Sequence, residues 1–98
     1  MGTLMDYSRA IRVTASGVAL NRPTRVSNVT VRPGGGDTVV FLRDGGAAGP
    51  ILWDVEADNA SGSHGETFNP PIKFDRNVYV DFTEQGANSS CCISVIEA

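Results

Sequence analysis

Apolar and polar residues alternate one by one along most of the chain, and this period of two is typical of β-strands that bury one face. The alternation is clearest from Ile51 to Asp58 and from Val78 to Thr83, where an apolar residue occupies every second position. Clusters of Gly, Pro, Asn, Asp and Ser interrupt it at short, regular intervals, as turns do in sandwiches and barrels. The pattern predicts about eight strands, at residues 10–15, 24–32, 37–43, 50–58, 65–69, 72–74, 77–83 and 91–97.

The predicted fold class is all-β: a small antiparallel sandwich of two sheets, with jelly-roll or immunoglobulin-like topology and almost no helix. Pro70 and Pro71 have no N–H to donate to a ladder, so we expect them at a corner or on an edge strand. The alternation assigns the core to Ile11, Val13, Val29, Val31, Val40, Leu42, Ile51, Trp53, Val55, Phe68, Ile72, Phe74, Val78, Val80, Phe82, Ile93 and Val95. Replacing Trp53 by alanine in such a core would cost ~3–5 kcal/mol.

One segment departs from the alternation, because Val39, Val40, Phe41 and Leu42 are consecutive apolar residues. A strand that is apolar on both faces is usually covered on both faces. Either this strand is central in the sandwich, or its outer face meets another protein chain. We expect the pair that the core does not use, Val39 and Phe41, at an interface between copies, in a homotrimer or, as second choice, a homodimer.

Residues 1–9 precede the first predicted strand and form a short, polar arm, expected to be disordered in the free protein. Leu4, Met5 and Tyr7 are large side chains with no local core to join, and tyrosine and methionine are enriched in interfaces. Arg9 can pair with a carboxylate. We expect these four residues to dock on a partner protein or a neighbouring copy; the alternative is a frayed terminus without a role.

Composition and charge restrict the possible classes of protein. The chain has 98 residues, a net charge of −3 at pH 7 and 41% hydrophobic residues. This length fits one domain, predicted at residues 10–98 behind the arm at 1–9. Proteins that neutralise nucleic-acid phosphates carry a basic excess, so nucleic acid is not an expected partner. No apolar run reaches the ~20 residues that span a bilayer, and the first residues do not resemble a secretion signal, so we expect a cytoplasmic protein without membrane contact.

The charges are distributed unevenly along the sequence. Arginines concentrate in the first third, at Arg9, Arg12, Arg22, Arg25 and Arg32. Acidic residues concentrate in the middle, at Asp54, Glu56, Asp58 and Glu66. The two groups could pair between identical subunits or with another protein, since arginine suits bidentate pairing with carboxylates; scattered surface charge is the alternative. The first three of these acids share one strand face, which we interpret as a solvated face rather than a metal site, because a straight strand spreads its carboxylates apart.

The sequence predicts no catalytic residue, no cofactor and no metal site. His64 is the only histidine and lies in a loop, without the serine elbow that accompanies many catalytic triads. Cys91 and Cys92 are neighbours on a predicted strand and therefore point to opposite faces, which is typical of small strand residues. An intermolecular disulfide through the outward thiol is the alternative. The glycines at 34–36 lead into a strand, whereas a phosphate-binding loop leads into a helix.

Several stretches resemble small β-sandwich virion proteins of tailed bacteriophages: residues 11–17, 39–49, 71–75 and 78–80. In those proteins a strand ending in Leu-Arg-Asp-Gly-Gly, here residues 42–46, turns into a second strand. An Ile-x-Phe segment, here Ile72 to Phe74, then precedes an apolar-Tyr-Val strand. The resemblance extends over roughly residues 10–83 and rests on turn and core residues.

The resemblance implies a non-enzymatic capsid cement or decoration protein, made in the host cytoplasm and bound to the exterior of the virion. Capsid protein and copies of the chain itself are then the expected partners. The alternative is a component of a tail fibre or spike, or a receptor- or glycan-binding module. The candidate glycan-binding residues are Tyr79, Asp81 and Asn77, which place an aromatic ring beside polar side chains.

Overall fold

The structure is a computed structural model that describes residues 7–97, with side chains from 9 to 96. Within this range the chain forms eight strands and no helix. The strands are β1 (Tyr7–Val13), β2 (Gly17–Leu20), β3 (Thr24–Arg32), β4 (Thr38–Asp44), β5 (Ile51–Ala57), β6 (His64–Phe74), β7 (Val78–Glu84) and β8 (Ser90–Glu97). The prediction of an all-β fold with about eight strands is confirmed.

The strands form two four-stranded antiparallel sheets, packed face to face as a sandwich. Sheet A has the strand order β1-β8-β3-β6, and sheet B has the order β2-β7-β4-β5. The strand pairs run from the two ends of the chain inward. Strand β1 pairs with β8, β2 with β7, β3 with β6, and β4 with β5. This arrangement results when a chain folded back midway is rolled into a sandwich, and it is the jelly-roll order rather than the immunoglobulin order.

Two strands differ from the sequence prediction. Gly17–Leu20 was not predicted as a strand, but it pairs with β7 at the edge of sheet B. The segments predicted separately at 65–69 and 72–74 belong to one strand, β6, with a bulge at residues 68–71 opposite Ser27. Both prolines lie in this bulge, and β6 is an edge strand, as their missing N–H groups require.

The core lies between the two sheets. Its buried hydrophobic residues are Leu20, Val26, Val29, Val31, Val40, Leu42, Val55, Ala57, Phe74, Val78, Val80, Cys91, Ile93 and Val95. Partly buried residues packed against them include five further predicted members: Ile11, Val13, Phe68, Ile72 and Phe82. The prediction is wrong for Ile51 and Trp53, whose side chains are 46% and 39% exposed.

A bulge in the edge strand β5 explains the error at Ile51, and the edge position of β5 explains the error at Trp53. Leu42 lies opposite Trp53, but Arg43 lies opposite Ile51, so Leu52 is an extra residue in the ladder. Beyond the bulge the alternation reverses, and Leu52 contacts the core in place of Ile51. Trp53 faces the open edge of the sandwich, where its ring meets that of Phe68 on β6 edge to face, with centroids 5.1 Å apart. Trp53 therefore closes the gap between the two sheets and remains half in solvent.

A buried carboxylate fixes the turn between β6 and β7. Asp44, which ends β4, accepts hydrogen bonds from the backbone N–H groups of Asp75, Arg76 and Asn77 at 3.0, 2.9 and 3.4 Å. Burial by itself raises the pKa of this carboxyl, but the three N–H donors and the charge of Arg76 outweigh burial and lower the pKa below its ordinary value. The Leu-Arg-Asp-Gly-Gly stretch therefore contains a structural anchor.

At the opposite end of the sandwich the β3–β4 and β7–β8 loops touch backbone to backbone. The N–H of Asn88 donates to the carbonyl of Gly34 at 2.9 Å. Gly34 has a φ of +39°, and a Cβ at this position would collide with the backbone of Asn88. Only glycine permits this approach, so the loops at this end are held together.

Candidate functional site

The outward side of sheet B carries exposed apolar side chains along one end. The strand register aligns one residue from each strand into a row across β2, β7, β4 and β5: Val18, Tyr79, Arg43 and Ile51. Val18 is 50% exposed and Ile51 is 46% exposed. They are two of the three large hydrophobic side chains that are exposed in the described part of the chain. Each end of this row is therefore an apolar side chain in contact with water.

The next two rows have their apolar members at the centre, on β4. Phe41 lies between Asp81 and Asp54, and Val39 lies between Glu84 and Glu56. The centre is therefore apolar, and carboxylates stand on both sides. We refer to these three rows as the outer B face: Val18, Val39, Phe41, Arg43, Ile51, Asp54, Glu56, Tyr79, Asp81 and Glu84.

Arg43 is held in place within the outer B face by three contacts. Its Nε donates to Asp81 Oδ2 at 3.0 Å, and its Nη1 donates to the carbonyl of Gly49 at 2.9 Å. Its guanidinium carbon lies 5.7 Å from the centroid of the Phe41 ring, within cation–π range. The Arg43 and Asp81 side chains are only 20% and 24% exposed, so the pair is partly withdrawn from water. A fixed arginine among aromatic and aliphatic side chains, with a polar rim, is the composition of a protein–protein interface.

The structure brings together only some of the residues that the sequence singled out for partner binding. Val39 and Phe41 point away from the core, as predicted, and both are half-buried. Tyr7 and Arg9 belong to β1, which pairs with β8, so the ladder begins inside the predicted arm at 1–9. Arg9 is exposed on sheet A and lies apart from the outer B face. Leu4 and Met5 lie outside the described residues.

The sequence interpretation missed four members of the outer B face: Val18, Arg43, Ile51 and Glu84. Val18 was not noticed because β2 is short and follows a serine–glycine turn. Ile51 was assigned to the core because it shares the parity of Trp53 and Val55, although three consecutive apolar residues, Ile51 to Trp53, interrupt the alternation at the bulge. Arg43 was treated as part of a turn motif, although it continues the outward parity of Val39 and Phe41, which is the signal that could have identified it.

The outward side of sheet A has the opposite charge. Arg12, Arg25, Arg32 and Lys73 point outward there, since they alternate with core residues, and the register pairs Arg25 with Lys73. Between them lie mostly small and polar residues, Ala10, Asn28, Thr30, Thr67, Cys92 and Ser94, and the half-buried Ile96 lies opposite Arg25. We call this surface the outer A face. Three of the five arginines in the first third therefore lie on the outer A face, whereas Asp54 and Glu56, two of the four acidic residues in the middle, lie on the outer B face.

The remaining candidates for chemistry are engaged in local contacts. His64 Nε2 lies 2.6 Å from Glu66 Oε2 on β6, and both side chains are well exposed. Of the three glycan candidates, Asp81 is paired with Arg43, and Asn77 Oδ1 accepts a hydrogen bond from the Gly45 N–H at 3.2 Å. Tyr79 is half-buried within the outer B face.

The two cysteines occupy opposite environments, as their predicted strand parity requires. Both thiols are free: Cys91 is in the core, and Cys92 is half-exposed on the outer A face. Burial, reinforced by the neighbouring Cys92, raises the pKa of the Cys91 thiol to about 12. No three His, Cys, Asp or Glu side chains converge as metal ligands among residues 9–96. Over the same range, no helix is long and apolar enough to cross a membrane.

Comparison with known proteins adds no assignment, because no protein-family model matches the chain and no curated protein does either. The jelly-roll architecture rests on the strand order alone. The same architecture carries unrelated functions in different proteins, so function has to be argued from the surface. The resemblance to phage virion proteins is a proposal for that reason.

Proposed function

We propose that this chain is a non-enzymatic structural protein of a tailed-bacteriophage virion, of the capsid cement or decoration type. The observation that carries the proposal is the outer B face, where apolar side chains lie outside the core. Its exposed aliphatic side chains, Val18 and Ile51, gain nothing in water and are favourable when covered by protein. The resemblance over residues 10–83 supports the phage class, and the rigid sandwich suits a purely structural role.

The proposed role is to clamp neighbouring capsid proteins from the outside of the shell. A protein that binds the assembled shell but not its separate subunits stabilises the shell by mass action. We assign the contact with capsid protein to the N-terminal residues Leu4, Met5, Tyr7 and Arg9. We assign self-association, as a homotrimer or else a homodimer, to the outer B face around Val39 and Phe41. Several weak contacts made by one oligomer reinforce one another.

The first test measures copy number in purified virions and the thermal stability of shells with and without the protein. Hundreds of copies per particle, together with shells that open at lower temperature when the protein is missing, are the expected result. A handful of copies confined to the tail would instead favour the fibre or spike alternative. Absence from the particle would contradict both proposals.

The second test asks whether the outer B face is the working surface. Val18→Asp and Ile51→Asp place a charge on already exposed side chains, so both variants should fold as the unchanged protein does. Ser63→Asp, in the exposed β5–β6 loop, is the matched control. We expect the first two variants to lose self-association and occupancy on shells, and the control to keep both. Full occupancy by Val18→Asp and Ile51→Asp would show that this face is idle.

A further inference from the structure

The two outer faces of the sandwich are electrostatically complementary. The outer A face carries Arg12, Arg25, Arg32 and Lys73. Lys73 Nζ lies 3.8 Å from Asp75 Oδ1 at one corner and Arg25 is engaged in a contact of its own, so the excess charge on this face is that of Arg12 and Arg32. On the outer B face, Asp81 is matched by Arg43, which leaves Asp54, Glu56 and Glu84 as the excess charge. One face is therefore basic, and the other is acidic around an apolar centre.

These charges cannot neutralise one another within one molecule. The sheets of a sandwich are ~10 Å apart, and the side chains of the two outer faces point away from each other. Arg12 and Arg32 on the outer A face can therefore meet Asp54 and Glu56 on the outer B face only between molecules. Two outer B faces in contact would bring the carboxylate rims of two molecules together, and like charges at an interface are unfavourable. Two outer A faces would oppose arginines in the same way.

We propose that copies of this chain associate head to tail, with the outer B face of one molecule on the outer A face of the next. Such a contact covers the apolar centre around Phe41 and places Arg12 and Arg32 of one copy near the carboxylate rim of another. It is a heterologous contact, which closes into a ring if the rotation between copies permits, and otherwise continues as an open stack. The inference rests on the proposal that the outer B face mediates self-association, but it does not depend on a phage shell.

The size of the faces indicates a weak contact. A face four strands wide and about seven residues long measures roughly 19 by 23 Å. Each copy would then bury on the order of 500 Å², and an interface of about 1,000 Å² in total is at the lower end for specific contacts. Because opposite charges dominate, raising NaCl from about 20 mM to about 500 mM should weaken association roughly tenfold.

Reversing the charges on each face tests the contact in the isolated protein. Variant one carries Arg12→Glu and Arg32→Glu, and variant two carries Asp54→Lys and Glu56→Lys, all on exposed side chains. By analytical ultracentrifugation at low salt, each variant alone should associate at least about tenfold more weakly than the unchanged protein. An equimolar mixture should recover association, because each variant then meets a face of opposite charge. The control, Ser61→Lys with Ser63→Lys, places charge on an end loop and should associate normally.

Three results would overturn the inference. The unchanged protein could be monomeric at every concentration and salt tested. Variant one could associate as well as the unchanged protein, which would indicate contact between two outer B faces. The mixture could also associate no better than its components, which would indicate a different surface or a different partner.

Cys92 supplies an independent readout on the outer A face. It lies between Arg12 and Thr30, whereas Cys91 is buried and should resist alkylation. At high protein concentration and low salt, iodoacetamide should modify Cys92 several-fold more slowly than at high dilution. Variant two should not show this protection, and unchanged labelling of the unmodified protein would contradict the contact. If the protein failed to bind shells but Cys92 was still protected at high protein concentration, the cement proposal would be refuted and the head-to-tail contact would stand.

Discussion

Removal of the Asp44 carboxylate should destabilise the protein far more than removal of its exposed neighbour. Asp44 is 9% exposed, and its two oxygens accept three backbone N–H groups at the β6–β7 turn. A hydrogen bond to a charged group contributes about 1.5–3 kcal/mol, and a buried donor left without a partner costs about 1–3 kcal/mol. The turn lies at the end of the sandwich, where water can reach part of it, so the contributions of the three hydrogen bonds to stability do not add fully. We expect Asp44→Ala to lower the free energy of unfolding by about 2–4 kcal/mol.

Urea denaturation at pH 7, followed by tryptophan fluorescence, measures this loss. Asp75→Ala is the matched control, because Asp75 belongs to the same turn but its side chain is 74% exposed, and its ion pair with Lys73 is long, at 3.8 Å. An exposed pair of this kind contributes about 0–1 kcal/mol. Equal destabilisation by the two substitutions would refute the argument that the Asp44 carboxylate anchors the turn.

The same carboxylate predicts a pH dependence of stability. Its pKa is lower in the folded protein than the ordinary value of 3.8. The folded state therefore binds its proton less readily than the unfolded state, so the stabilisation is complete above the ordinary pKa and declines as the pH falls through it. The gap in stability between the unchanged protein and Asp44→Ala should narrow below about pH 4. A gap that stays constant down to acid unfolding would contradict this assignment.

Three further substitutions or deletions have defined outcomes. Trp53→Ala should lower the free energy of unfolding by about 1–2 kcal/mol, because the ring is partly exposed, whereas Phe74→Ala in the core should lower it by about 3–5 kcal/mol. Equal losses of stability in thermal unfolding would contradict the edge position of Trp53. Gly34→Ala should lower the melting temperature by several degrees. Gly35→Ala is the milder control, because a Cβ at that position meets no neighbouring atom. Equal melting temperatures of the two variants would contradict the contact between the loops. Deletion of residues 2–6 retains β1 from Tyr7 and should preserve folding while reducing shell occupancy, and unchanged occupancy would show that the segment has no role.

The period of two was enough to predict the fold class and most of the core, because inward residues on central strands must be apolar. Val40 and Leu42 on β4, and Val78 and Val80 on β7, are fully buried as predicted. Bulges could not be predicted in this way, because one extra residue reverses the parity of all that follow it. The bulge at Leu52 is the example, since the sequence alone assigns Ile51 to the wrong side.

The sequence predicted the candidate site only on β4, where residues 39–42 are four consecutive apolar residues. Val39 and Phe41 were identified as outward-facing because no single core can receive both sides of a strand. Val18 and Tyr79 join them only through the register between β2, β7 and β4, which depends on contacts between distant parts of the sequence. The separation of basic and acidic groups onto two faces has the same origin, and a linear charge pattern does not reveal it.

The rolled strand order also governs when the protein can fold during synthesis. In sheet A, β8 lies between β1 and β3, and in sheet B, β7 lies between β2 and β4. Until these late strands leave the ribosome, β1 and β2 lack the neighbours that complete their hydrogen bonding, and neither sheet can close. Contacts between such distant segments form slowly, typically in milliseconds to seconds, because the loop entropy must be lost first. Complete folding therefore waits for β8, and a chain interrupted before Ser90 leaves β1 without its neighbour and sheet A open between β1 and β3.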